Sequence, residues 1–191
     1  METQNINYSD YLGLQHILNA ALPISAEPLE TMFIVAHQTT ELWFKILIQE
    51  LKRINNVPLD EHPSYSPVIQ LQRVVKIFEH LNTLWSIMTT MTPKEYENFR
   101  GELGAASGMQ SKQYKEVEEL LRKLPKRWNH KYEYHLLDIE NAFKKWQFSH
   151  MKAVERIIGH QEGTGGTSGV EYLKEAVNRP LFTAKYEWKG W

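Results

Sequence analysis

Between Leu136 and Ile157 the apolar residues return at steps of three and four: Leu136, Ile139, Phe143, Trp146, Ala153 and Ile157, with His150 standing on the same stripe. Steps of that size keep side chains on one face of an α-helix, whereas a half-buried strand alternates every second residue. The spacing recurs in Leu29, Met32, Phe33, Ala36, Trp43, Ile46 and Leu47, and again in Val68, Leu71, Val75, Phe78, Leu81, Trp85 and Met88. No convincing alternating run competes with it. Long helices that each need to bury one stripe satisfy one another by packing side by side, so the expected fold class is all-α, a helical bundle. With 191 residues the chain has room for one sizeable core, and a single domain over 1–191 is expected.

Punctuation residues divide this pattern. A first short helix is expected over Ser9–Ala20, ending before Pro23, and a long one from Ser25 to about Ile54. Asn55–Pro67 carries three prolines and reads as a loop. Thr92-Pro93-Lys94-Glu95 is a helix start, with Thr92 as cap, Pro93 in the first turn and Glu95 closing a capping box. Gly101, Gly104 and Gly108 keep that helix short. Further helices are expected over Gln110–Leu124, Tyr134–Gly159 with Gly159 as C-cap, and Val170–Val177, before an aromatic tail with Trp188 and Trp191.

Composition excludes several functions. No cysteine is present, which removes thiolate-ligated haem, iron–sulfur clusters, cysteine zinc sites and a catalytic thiol. A net charge of −1 offers no global attraction to nucleic acid or acidic lipid. The basic cluster of Lys123, Lys126 and Arg127 reads as a solvated helix end. No apolar run reaches the roughly 20 residues a membrane span needs, and Met1–Tyr8 has no secretory pattern, so a cytoplasmic address is expected. The chain also lacks any His-Glu-x-x-His or Glu-x-x-His pair, the spacings of zinc proteases and di-iron bundles.

Four features remain that suit chemistry. His150 lies on an otherwise apolar stripe, and a buried imidazole needs partners for its nitrogens; these are either neighbouring polar groups or a metal. His37 shares a helix face with Phe33 and Phe44, which suits a pocket for a flat ring bearing one N–H, or an ordinary packed helix. Arg100, one turn after Tyr96, offers a fork of donors beside a hydroxyl, suited to a carboxylate or to a surface ion pair with Glu97 or Glu102. Gly163-Thr164-Gly165-Gly166-Thr167-Ser168-Gly169 lacks the lysine of a phosphate loop and reads as a lid with Thr164 and Thr167 hydroxyls, or as a connector. His16, His62, His80, His130, His135 and His160 fall at surfaces, ends or loops.

Taken together, the wording of these segments resembles the tryptophan 2,3-dioxygenase family. The resemblance is carried in order by Tyr8-Ser-Asp-Tyr11-Leu12, by the run from Phe33 through His37 to Lys45, and by the run from Phe99 through Arg100 and Ser107 to Ser111. It continues in the run from His150 to Gly159 and in the Gly163–Gly169 loop with Tyr172-Leu173-Lys174. It implies a helical bundle of that type around a b-type haem. His150 would be the proximal ligand to the haem iron and Trp85 a residue near the haem. His37, the one position with a catalytic role, would sit against the indole N–H. Phe33 would line the indole pocket, Tyr96 and Arg100 would hold the substrate carboxylate, Thr164 would meet the amino-acid end, and Ser107 would be a small residue near the haem.

The resemblance further implies a homotetramer in which the N-terminal 1–22 reaches a neighbouring subunit, with Tyr8 and Tyr11 entering its pocket. The implied reaction is O₂-dependent opening of the indole C2–C3 bond of L-tryptophan, or a close indole analogue, to N-formylkynurenine. The alternatives are a related haem enzyme inserting one oxygen into an indole or phenol, and a haem-binding bundle without turnover. Two departures stand out. The stretch between Lys115 and Leu136 is shorter than is usual in the family, and Met109 and Ala36 replace larger or aromatic residues.

Overall fold

The computed structural model describes residues 6–56, 66–124, 132–159, 161–166 and 168–182. Among them every regular element is helical: α1 (Tyr8–Leu12), α2 (Leu14–Leu18), α3 (Pro28–Asn56), α4 (Pro67–Met88), α5 (Pro93–Arg100), α6 (Lys112–Lys123), α7 (Glu133–Ile158) and α8 (Val170–Asn178). Two 3₁₀ turns, Gly101–Leu103 and Gly108–Gln110, join α5 to α6.

The expected all-α bundle is present. Helices α3, α4, α6 and α7 enclose one core in which Leu47, Leu51, Leu71, Phe78, Leu81, Leu121, Leu136, Ile139 and Phe143 are fully buried. Phe78 meets Phe143 edge-on at 5.3 Å and Phe44 meets Trp146 at 5.6 Å, so large rings from three helices interlock. On α3 the buried stripe differs from the expected one. Phe44, Leu47, Ile48, Leu51 and Ile54 are buried, Leu29, Met32, Phe33, Ala36 and Trp43 pack against the core less completely, and Ile46 is exposed. Over 29 residues a helix outgrows one partner, so its buried face shifts as its neighbours change.

The first expected helix is instead two five-residue helices, because Gly13 between them takes the left-handed φ of 60°. Neither contributes a buried residue. Their base is tied down: Gln38 donates to the Ala20 carbonyl, and the buried Glu30 carboxylate accepts the backbone N–H groups of Ile24 and Ser25. The Ser25 hydroxyl, which also donates to this carboxylate, and then those backbone bonds hold the Glu30 carboxyl below its ordinary value. Pro28 and Pro67 fall within the first turns of α3 and α4, where a missing N–H costs nothing. The Thr92 capping box forms as expected, and Gly159 ends α7 at a positive φ of 62°. Helix α6 starts two residues later than expected, at Lys112, capped by the Ser111 hydroxyl. Most of the loop Asn55–Pro67, along with His62, Lys126, Arg127, His130, His160, Thr167 and the tail with Trp188 and Trp191, lies outside the described residues.

The last turn of α8 and the residues after it are strapped to the bundle by three charged side chains. Arg122 donates to the carbonyls of Pro180 and Leu181, Glu140 accepts from Leu181 N–H, and Lys144 donates to the carbonyls of Ala176 and Arg179. The glycine-rich loop runs between the end of α7 and the start of α8.

Candidate functional site

Helices α3 and α5 bring Phe33, His37 and Tyr96 together. The Phe33 ring lies 4.3 Å from the His37 imidazole and 5.9 Å from Tyr96, with Phe99 behind both at 5.6 and 5.2 Å. His37 Nδ1 is 2.7 Å from the Phe33 carbonyl. A carbonyl can only accept, so Nδ1 carries the proton and Nε2 is left as an acceptor. Burial pushes the His37 pKa down, against the opposing pulls of the Phe33 carbonyl and Glu41, so the ring is neutral at pH 7. Burial also raises the Tyr96 pKa, partly offset by Arg100, which keeps its hydroxyl a donor. Phe44, on the same face in sequence, packs deeper against Trp146 and Tyr114.

Arg100 makes no ion pair with Glu97 or Glu102 among the described residues. It donates through Nη2 to the Glu162 backbone carbonyl across 62 positions of chain. Thr164 donates to the Ala106 carbonyl, and Gly165 lies directly on Ser107. Glu162, Thr164 and Gly165 thus close on the end of α5 and its connection to α6, at Arg100, Ala106 and Ser107.

His150 lies on α7 among the buried stripe but is itself only half-buried. Its ring stacks on Trp85 of α4 at 4.4 Å and 21°, with Trp146 one turn below at 6.1 Å and 25°. Neither imidazole nitrogen has a hydrogen bond among the described residues. Burial, and then the proximity of His37, lowers the His150 pKa to about 4, so this imidazole too is neutral at pH 7. The indole N–H groups of Trp85 and Trp146 are fully buried without an acceptor.

Among the other histidines, His16 and His80 are exposed, and His80 sits edge-on to Trp43 at 5.1 Å. Tyr8 and Tyr11 are 75% and 78% exposed on α1, with no partner in this single chain's site. Met109 and Ala36 are half-buried. No described helix is long and apolar enough to cross a membrane.

A family model described as tryptophan 2,3-dioxygenase matches residues 1–135 and 125–191. The chain belongs to the tryptophan 2,3-dioxygenase family. Curated relatives named tryptophan 2,3-dioxygenase include those of Pseudomonas fluorescens, Bradyrhizobium sp. (strain ORS 278) and Polaromonas sp. (strain JS666 / ATCC BAA-500). The first is 30% identical, covering 94% of this chain and 88% of the relative; the second 33%, covering 93% and 89%; the third 34%, covering 94% and 86%. The first two alignments run over 252 residues, although this member of the tryptophan 2,3-dioxygenase family has 191. The two matched stretches of the family model meet at 125–135, inside the interval that the sequence marks as shortened.

The residues present fit a haem. A neutral imidazole with no competing hydrogen bond suits an iron ligand, a stacked indole fixes its plane, and two orphaned buried indole donors suit a partner carrying acceptors. Trp146, the Glu162 carbonyl, the Ala106 carbonyl and Gly165 were not among the sequence candidates. Trp146 was detectable as the ring one turn before His150 on the same stripe. The two carbonyls left no signal, because a backbone acceptor carries no residue identity.

Proposed function

We propose that this chain is a haem-dependent tryptophan 2,3-dioxygenase acting on L-tryptophan and O₂. Support comes chiefly from one observation: helix α5 carries both Tyr96, which packs with Phe33 and His37 of α3, and Arg100, which with the Ala106–Ser107 stretch meets Glu162, Thr164 and Gly165, so residues from separate sequence motifs gather along one helix.

His150 would hold a b-type haem through its free, neutral imidazole, beside Trp85. When bound, the haem supplies the iron chemistry that activates O₂ toward the indole C2–C3 bond. The chain's own part is to bind and orient. Phe33 offers a ring for the indole to pack against, and His37 Nε2 accepts the indole N–H, a role that requires the Nδ1–H form its Phe33 bond selects. Arg100 keeps donors beyond the one given to Glu162, and these, with the Tyr96 hydroxyl, suit the substrate carboxylate. Thr164 meets the amino-acid end. Holding both ends of the substrate turns an encounter into a positioned reaction, the larger part of what a protein adds when the cofactor carries the chemistry. No proton transfer is asked of His37; it orients.

The same reading includes a homotetramer, in which the exposed Tyr8 and Tyr11 of α1 enter a neighbouring subunit's pocket, and a cytoplasmic setting. The arm is pinned at its base and buries nothing of its own, as suits a segment whose partner is another copy. The test is direct. Anaerobically reduced, haem-loaded protein mixed with tryptophan and then O₂ should develop the absorbance of N-formylkynurenine. Haem-loaded protein that forms no such product from tryptophan or any close indole would overturn the reading.

A further inference from the structure

The chain from Glu162 into the glycine-rich loop meets the end of α5 and the α5–α6 connection at Glu162, Thr164 and Gly165, and the Gly165 contact leaves no room for a side chain. A β-carbon built on Gly165 would stand 2.7 Å from the β-carbon of Ser107 and 2.8 Å from its hydroxyl. Contacts under 3.0 Å are essentially never made by real β-carbons. Turning the Ser107 side chain moves only its hydroxyl; its β-carbon is fixed by the backbone. That backbone is itself held, since Ser107 N–H donates to the Gln110 side chain and the Ser107 hydroxyl caps the turn Gly108–Gln110.

Position 165 differs from its neighbour. Gly166 has a φ of +72° with nothing within 4 Å, so it is a glycine for conformational reasons. Gly165 does not have a left-handed φ. Its backbone is one an alanine adopts freely, and only the lack of space excludes the methyl group.

We propose that Gly165 is a positioning residue, whose bare backbone lets the loop seat on Ser107 and thereby sets Thr164 and the Glu162 carbonyl against the substrate-carboxylate end of the site. The seat acts through two hydrogen bonds. With Gly165 down, Thr164 reaches the Ala106 carbonyl and the Glu162 carbonyl takes one N–H of Arg100, orienting the rest of the guanidinium fork. With a side chain at 165 the loop stands off, both bonds lengthen, and Arg100 loses the group that aims it. The consequence for substrate rests on the dioxygenase reading above; the seat itself does not.

The experiment follows cleavage of the Glu162–Gly163 bond by a glutamyl endopeptidase, alongside tryptophan kinetics, in haem-loaded wild type, Gly165→Ala, Ser107→Gly and the double variant. Overpacking a methyl group against a fixed wall should speed cleavage in Gly165→Ala about tenfold, and raise KM for tryptophan by a similar factor with a smaller change in kcat. Ser107→Gly removes both clashing atoms, so the double variant should regain near wild-type resistance to cleavage. Cleavage unchanged by Gly165→Ala, or not rescued by Ser107→Gly, overturns the proposal. So does a fall in global unfolding midpoint large enough to account for the faster cleavage, since the glycine would then be serving the fold. Wild type that resists cleavage but forms no product sinks the dioxygenase reading alone.

Discussion

Lowering the pH of the haem-free chain tests the state of His150 without reference to turnover. In the folded chain its pKa lies near 4 because burial opposes the charged ring, whereas in the unfolded chain it has the ordinary histidine value of 6.5. The sign follows from proton uptake. Below pH 6.5 the unfolded chain binds a proton that the folded chain refuses, so stability is full above that pH and falls until the folded pKa is passed. Each unit of pKa difference is worth about 1.4 kcal/mol, which gives about 2 kcal/mol lost between pH 7 and pH 5 from this one residue. Urea unfolding of the haem-free wild type and of His150→Leu at both pH values isolates the contribution, because His37 and the carboxylates are present in both chains. The wild type should lose about 2 kcal/mol more than the variant over that interval. Equal losses would refute the claim that His150 is held neutral by its surroundings. The same neutrality keeps a nitrogen lone pair available to iron.

His150→Ala should abolish the Soret band of a histidine-ligated haem, read by absorbance after reconstitution; an unchanged band would remove His150 as ligand. Arg100→Lys keeps the charge but loses the fork, and should raise KM for tryptophan about tenfold or more in steady-state assays, with kcat less affected. Phe99 is fully buried behind Phe33 and Tyr96, and Phe99→Ala should cost about 3 to 5 kcal/mol in urea unfolding. Thr92→Ala removes one half of the α5 capping box and should cost about 1 kcal/mol by the same measurement.

Helix type was legible because burial imposes a period that survives in the order of residues. The α7 stripe from Leu136 to Ile157, the Thr92 box and the Gly159 cap all stand where their local chemistry puts them. Gly13 shows the limit of that reading. A single glycine inside an apolar pattern is compatible with a continuous helix or with a break, and here the backbone turns left-handed. The α3 stripe shows another limit, since Ile46 fits the period but is exposed.

Several of the side chains that gather at the candidate site stood out in the sequence, as imidazoles, a guanidinium and hydroxyls placed among rings and glycines. What each of them touches was decided only by tertiary packing. Arg100 had Glu97 and Glu102 close by in sequence, yet it meets a carbonyl 62 positions away, because the chain that leaves α7 passes over the end of α5 before α8 begins. His37 acquires its tautomer from a carbonyl one turn back, and His150 its neutrality from the surroundings that α4 and α7 build around it. Periodicity and side-chain chemistry are local and pass through the sequence intact. Dielectric, tautomer and backbone acceptors exist only after distant segments have met.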